Sequence, residues 1–168
     1  MNDFYKEVDA FNYLKGWNEN ADYSPVVMPQ LIEGQLLRIQ EELEETFKAH
    51  SEKDDVEILD GAVDILVTAV GLVQLLARTE TDVFGAMREV ARNNLMKFTE
   101  VLSKAEETRD HYKAKGEDCE VHTVYTDDKG SIYAVLRKSD SKLLKPINHP
   151  RVELSKYLPQ ELICGGLS

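Results

Sequence analysis

The sequence predicts an all-α fold: a four- to five-helix antiparallel bundle with a small C-terminal β-hairpin appended. Three observations predict it. Apolar residues recur at helical spacing through most of the first 115 residues. One of these segments, from Val56 to Val73, is apolar on every face except a single polar stripe. After Gly116 the apolar pattern changes to strict alternation on either side of an Asp127-Asp128-Lys129-Gly130 turn. The expected domains are a helical part, 1–115, and a hairpin with an irregular tail, 116–168.

Each element has its own signal. Phe4, Val8, Phe11 and Leu14 share a face and predict a first helix from Asp3 to Lys15, ended by Gly16. The stretch from Trp17 to Met28 is rich in Gly, Asn, Asp, Ser and Pro and reads as a loop. Pro29 suits the first turn of a second helix running to Ala49. His50 to Asp54 is a tight connection. A third helix runs to Arg78, and a fourth from Thr81 or Asp82, either of which can cap it, to Phe98. Thr99 to Lys115 is helical in composition with a weak apolar stripe. Val121, Thr123 and Tyr125 alternate before the turn, and Ile132, Ala134 and Leu136 alternate with Tyr133, Val135 and Arg137 after it, which reads as a β-hairpin; Leu143 and Leu144 are placed to add a short strand. Pro146, Pro150 and Pro159 make the end irregular.

Composition bounds the function. The 168 residues carry a formal charge of −11, which argues against a nucleic-acid backbone as partner. The N-terminus, MNDFYKEVDAF, is acidic and polar and predicts no signal peptide. The apolar run Gly61–Ala77 is short for a membrane span and contains Asp64 and Gln74, so a buried bundle helix is expected and no membrane partner. Cys119 and Cys164 form no motif and are expected as free thiols in a reducing cytoplasm.

Four carboxylates then stand out. Glu42 and Glu45 lie at i, i+3 on the second helix, and Glu57 and Asp60 at i, i+3 on the third. About a turn centred near Ser51, Glu45 mirrors Glu57 and Glu42 mirrors Asp60, so an antiparallel pair brings all four to one level. Along the third helix the polar residues Glu57, Asp60, Asp64 and Thr68 form one stripe, continued by Gly71, in a segment expected to be buried nearly all round. Buried carboxylates must be paired, coordinated or protonated. Arg38, which mirrors Asp64, can pair with one of them. The remaining excess of negative charge points to a divalent cation, and oxygen-only donors favour Mg²⁺ or Mn²⁺ over zinc. Taken alone, "EELEE" at 41–45 reads first as a solvated helix face; it is the apolar setting of Asp60 and Asp64 that points to a site.

A second constellation lies on the fourth helix. Asn94 continues the face of Phe84, Met87, Val90 and Ala91, which predicts that it points inward, and Lys97 is one turn on. Together they can hold phosphate oxygens, or serve as an ordinary backbone-bonding amide and a solvated helix-end lysine. Phe11, Trp17 and Gln35 come from regions able to flank the site and supply a base pocket, or simply core packing. Arg137, Lys138, Lys142 and Lys145 form the locally basic stretch of an acidic chain, either a cover over phosphates or a solvated strand face. His149 is isolated and receives no role.

These residues resemble a known family. "EELEE" (41–45) followed by "EILD" (57–60) is similar to the EExxE…ExxD signature of the all-α nucleoside triphosphate pyrophosphohydrolases, the MazG-like superfamily. "EILDGAVDILVTAVG" (57–71) and "EVARNNLMKF" (89–98) resemble its phosphoribosyl-ATP pyrophosphohydrolase-like and phage-type branch, and "VLRKSDSKLLKPINHP" (135–150) is similar to a tail of some phage-type members. The gap between Glu45 and Glu57 is at the short end for the family, and Val67 stands where many relatives have Tyr. The resemblance implies Glu42, Glu45, Glu57 and Asp60 as metal ligands, with Glu41 and Asp64 beside them as candidates to position a water or an additional metal, Glu41 preferred as base. It implies Asn94 and Lys97 on the triphosphate. It also implies a bundle assembled as homodimer or homotetramer. The expected activity is Mg²⁺-dependent hydrolysis of nucleoside triphosphates, deoxynucleotides above all, to monophosphate and pyrophosphate. Two rivals are phosphoribosyl-ATP hydrolysis at the same kind of site and a non-catalytic acidic helical adaptor.

Overall fold

The computed structural model describes residues 2–17, 21–24 and 26–160. It is mostly helical, with one antiparallel two-stranded hairpin: α1 (Asn2–Leu14), α2 (Met28–Glu52), α3 (Asp55–Ala77), α4 (Glu80–Leu95), α5 (Leu102–Lys113), β1 (Cys119–Thr126) and β2 (Gly130–Arg137), with a 3₁₀ turn at Ser155–Tyr157. Among the described residues, no helix is long and apolar enough to cross a membrane. Cys164 lies outside the described residues.

The chain divides into two units. The first takes in the chain up to Ala86 and resumes at Ser155; the second is Met87–Leu154. The division therefore falls inside α4, and the boundary expected after residue 115 lies within the second unit.

In the first unit, α2 and α3 form an antiparallel pair and α1 packs on α3. Pro sits in the first turn of α2, where a missing N–H costs nothing. α2 runs three residues past its expected end. Lys53, left-handed at φ 62°, closes it by donating its N–H to the carbonyls of Ala49 and His50. Asp54 then caps α3, its carboxylate accepting from the N–H groups of Val56 (3.1 Å) and Glu57 (3.2 Å). The reversal occupies two residues. α4 is capped by Thr79, two or three residues earlier than expected: its hydroxyl accepts from the Asp82 N–H at 3.1 Å and donates to the Asp82 carboxylate. The buried stripe of α1 is Tyr5, Val8 and Asn12 rather than the expected face, and Phe11 and Leu14 are exposed. Tyr5 stacks obliquely on Phe84, ring centroids 4.9 Å apart.

The third helix is not buried all round. Val70, Gly71, Gln74, Leu75 and Ala77 in its C-terminal half are buried, but Val56 is 75% exposed and Leu59 67%. Among the described residues of this unit, α1 and α2 make the main contacts with α3, too few to cover an all-apolar helix.

In the second unit α5 packs on both strands around Ala105, Cys119, Val135 and Leu144. Cys119 is a buried free thiol. The hairpin register pairs Cys119 with Arg137 and Thr126 with Gly130. Gly130, at φ 70°, makes the left-handed step into β2. The expected contribution of 143–144 is present as a bridge of Leu143 to Leu136 and a hydrogen bond from the Leu144 N–H to the Val135 carbonyl at 2.8 Å.

Candidate metal centre

The register of α2 on α3 decides which carboxylates face one another. Two close approaches fix it. Gly61 lies against the side chain of Thr46, and Gly71 lies against the amide of Gln35, whose Nε2 is 3.1 Å from where a Cβ would stand. Both pairs centre on Lys53, not Ser51, because α2 continues to Glu52. That shift moves every mirror partner on α3 by about one helical turn. Glu42 now faces Asp64, and Glu45 faces Gly61. By the same register Asp60 is level with Thr46 and Glu57 with Ala49, one turn from the levels expected, although Asp60 still acts on Glu42.

The electrostatics agree with that register. Partial burial, first, and then the charges of Asp64, Glu45, Glu41 and Asp60 hold the Glu42 carboxyl above its ordinary value. Asp64 is the largest of the charge effects. Glu42 and Asp64 are half-buried, whereas Glu41, Glu45, Glu57 and Asp60 are exposed. No ion pair involves any of them among the described residues. Arg38 does not pair with Asp64: its guanidinium donates to the Gln35 Oε1 at 3.1 Å, one turn back on its own helix. Thr46 and Thr68 spend their hydroxyls on the carbonyls of Glu42 (2.7 Å) and Asp64 (2.8 Å).

Donor chemistry fits a hard cation, since the group is anionic and oxygen-only. Convergence is a separate matter. Among the described residues, no three Asp, Glu, His or Cys side chains come close enough together to hold an ion. The helices bring the carboxylates within electrostatic reach, but the side chains are splayed.

The predicted base-pocket residues separate. Gln35 is buried, and its amide is committed to the helices: Nε2 donates to the Thr68 carbonyl at 2.7 Å while Oε1 accepts from Arg38. Phe11 is exposed. Trp17 is half-buried, under the Lys15 ammonium at 4.8 Å from its ring. It lines a cavity of about 250 Å³ with Tyr5, Tyr23, Asn12, Gln74 and Arg78. There the Asn12 amide donates to the Gln74 Oε1 at 2.8 Å. Asn12 and Gln74 were missed in the sequence, although each is an amide on an otherwise apolar stripe, which is the signal that reveals them.

Asn94 and Lys97 belong to the second unit. Asn94 is exposed, contrary to the expected inward orientation; α4 turns Asn93 inward in its place. The Asn93 amide donates to the Pro150 carbonyl at 2.9 Å, and its Oδ1 meets the His149 Nε2 at 2.9 Å. Lys97 is half-buried just beyond the helix end.

Compared with known protein families, curated proteins and solved structures, the chain matches none.

Proposed function

We propose that this chain is a Mg²⁺-dependent nucleoside triphosphate pyrophosphohydrolase of the MazG-like kind, releasing pyrophosphate and leaving the monophosphate. One observation carries the reading: Glu42 lies opposite Asp64, and burial and then the charges of Asp64, Glu45, Glu41 and Asp60 raise the cost of ionising it, with no ion pair to any of these acids among the described residues. A fold that only needed solvated acids has no reason to gather them on two facing helices.

When bound, Mg²⁺ (or Mn²⁺) supplies neutralisation of phosphate charge and an acidified water. Glu42, Glu45, Asp60 and Asp64 are the residues to hold it, with Glu57 one turn from Asp60. Glu41, exposed beside them, takes the proton of the attacking water. Trp17 and the Asn12–Gln74 amides offer a planar face and hydrogen bonds to a base. Exposed Leu36, Leu37, Leu43 and Phe47 on α2, with Val56, Leu59, Val63 and Leu66 on α3, call for a second copy of the chain to cover them, completing a helical bundle as homodimer or homotetramer.

The deciding experiment measures pyrophosphate release from each common ribo- and deoxyribonucleoside triphosphate, and from phosphoribosyl-ATP, with Mg²⁺, Mn²⁺ or chelator. No metal-dependent release from any of them sinks the reading. The splayed carboxylates favour one alternative, an acidic helical adaptor that binds no metal. Thermal melting separates the two: Mg²⁺ raises the melting temperature of the enzyme by mass action, and Asp60→Asn abolishes the rise. The adaptor shows no rise in either protein.

A further inference from the structure

The second unit contains a cavity that the pyrophosphohydrolase reading does not use. Its volume is about 430 Å³, at the small-ligand end of the range for binding pockets. Four segments wall it: the stretch after α4 (Met96–Thr99), α5, the middle of β2 and the tail from Leu144 to Pro150.

The walls are fixed in place by hydrogen bonds. Thr99 and Tyr133 exchange a backbone pair, at 2.9 and 2.7 Å. The tail is tied at both ends, by the Leu144 N–H on Val135 and by Asn93, which holds the Pro150 carbonyl and the His149 ring together. Inside the tail, Asn148 takes the left-handed conformation at φ 64°, which Asn tolerates better than most residues, and so turns the chain back over the cavity. A preformed cavity spares a ligand the ordering cost of building it.

Its charge runs against that of the chain. Lys97 and Lys104 both line it, with Glu107 as the one carboxylate of the lining. Lys145 adds a third positive charge, near enough to act, as Lys97 does, on His149. Three cations of the same unit that lie outside the cavity are paired: Arg109 with Asp110, Arg137 with Asp140 and Lys138 with Asp118. Lys97, Lys104 and Lys145 have no carboxylate partner among the described residues. Unneutralised cations in a concave site focus a positive potential, which an anion relieves.

The lining also selects among anions. It contains no arginine, so it lacks the planar fork that suits a carboxylate; ammonium groups are compact point charges that suit a tetrahedral dianion. The lining is otherwise largely apolar and partly aromatic, with Tyr133, Leu144, Pro146 and Ile147 among it.

We infer that this cavity is a binding site for a small phosphate monoester carrying a planar or apolar group, of nucleoside monophosphate size, with Lys97 and Lys104 on the phosphate and Tyr133 beside the planar group. Occupancy requires no metal and leaves the ligand unchanged.

The test is an amide NMR titration of the full chain in excess chelator at constant ionic strength, using inorganic phosphate and then AMP and UMP as probes. Chelator silences any metal-dependent binding at the acidic stripe, and pyrophosphate release is assayed separately, so the two readings fail independently. The expected result is saturable shifts at Thr99, Tyr133, Leu144 and His149, with a monophosphate binding more tightly than phosphate alone. Lys104→Glu weakens the monophosphate by at least about tenfold, and Glu107→Gln tightens it by about threefold. Glu107→Gln removes only an exposed charge and keeps the test decisive if Lys104→Glu fails to fold. No saturable binding of any probe, shifts confined to residues outside the cavity, or an affinity unmoved by Glu107→Gln overturns the inference.

Discussion

Gly61→Ala tests the register on which the whole acidic group depends. A Cβ at Gly61 collides with the Thr46 hydroxyl and comes within 3.3 Å of the Thr46 Cβ and 3.5 Å of its Cα. The hydroxyl can rotate aside only by abandoning its 2.7 Å bond to the Glu42 carbonyl, which is worth about 1 kcal/mol. The Thr46 Cβ must also give by a few tenths of an ångström, while its Cα is at ordinary contact distance, and overpacking of that kind costs about 1–3 kcal/mol. Against this stands the helix propensity of alanine, a gain of about 1 kcal/mol over glycine. The net is a loss of roughly 1–3 kcal/mol. At a slope of about 2 kcal/mol/M, the urea midpoint falls by roughly 0.5–1.5 M. Gly34→Ala on α2 is the control: nothing lies within 4 Å of its Cβ position, so only the propensity gain remains and the midpoint rises. Thr46→Ala added to Gly61→Ala restores part of the loss. A Gly61→Ala protein as stable as Gly34→Ala would refute the close approach, and with it the pairing of Glu42 with Asp64.

Three further outcomes are expected. In chelator and low salt, a double-mutant cycle of Glu42→Gln with Asp64→Asn gives a repulsive coupling of at most about 1 kcal/mol, larger than that of Glu45→Gln with Glu57→Gln; the reverse order would restore a turn centred on Ser51. His149 is held below its ordinary 6.5 by burial and then by Lys145 and Lys97, so the unfolded chain takes up this proton first and stability falls as pH drops below 6.5; His149→Gln flattens that slope in urea midpoints measured across this range. Cys119 is 0% exposed and burial, above all, raises its thiol, so in a Cys164→Ser background a thiol reagent at neutral pH labels it only as the protein unfolds; labelling at the rate of a free thiol refutes that placement.

The sequence reads well where the signal is local. The helices and the hairpin are each legible because periodicity and turn chemistry act over a few residues, and the hairpin turn falls on the Asp127–Lys129 segment that composition singles out. The register between α2 and α3 is less legible. It depends on whether α2 stops at Ala49 or Glu52, and nothing in "AHSEKDD" marks Lys53 as the left-handed residue: a lysine there costs strain that a glycine would avoid, so the usual helix-end signal is absent. An error of three residues at a helix end becomes a full turn in the partner of Glu42. Burial of α3 is misjudged for a different reason. Hydropathy records that Val56, Leu59 and Val63 can be buried, but not how many neighbours a single chain can supply. Asn93 and Asn94 differ by 100° on a helix, too little for a four-residue apolar stripe to tell which turns inward.

The two units treat charge in opposite ways, and each does so against an available remedy. In the first, Arg38 is a cation on the same helix as Glu42, yet it bonds Gln35 and leaves the acids uncompensated. In the second, lysines gather around a cavity with one carboxylate in its wall, although Asp110, Asp118 and Asp140 neutralise other cations of that unit. Exposed ion pairs contribute little to stability, so their presence elsewhere needs no special explanation. What needs one is like charge that is both gathered and unneutralised, because repulsion works against the fold that gathers it. Solvent screening makes the cost bearable at the surface. It does not explain why acids collect on two facing helices, or why lysines collect around a walled cavity. The two proposed ligands, a cation for the α2–α3 stripe and a phosphate for the cavity of the second unit, would account for both.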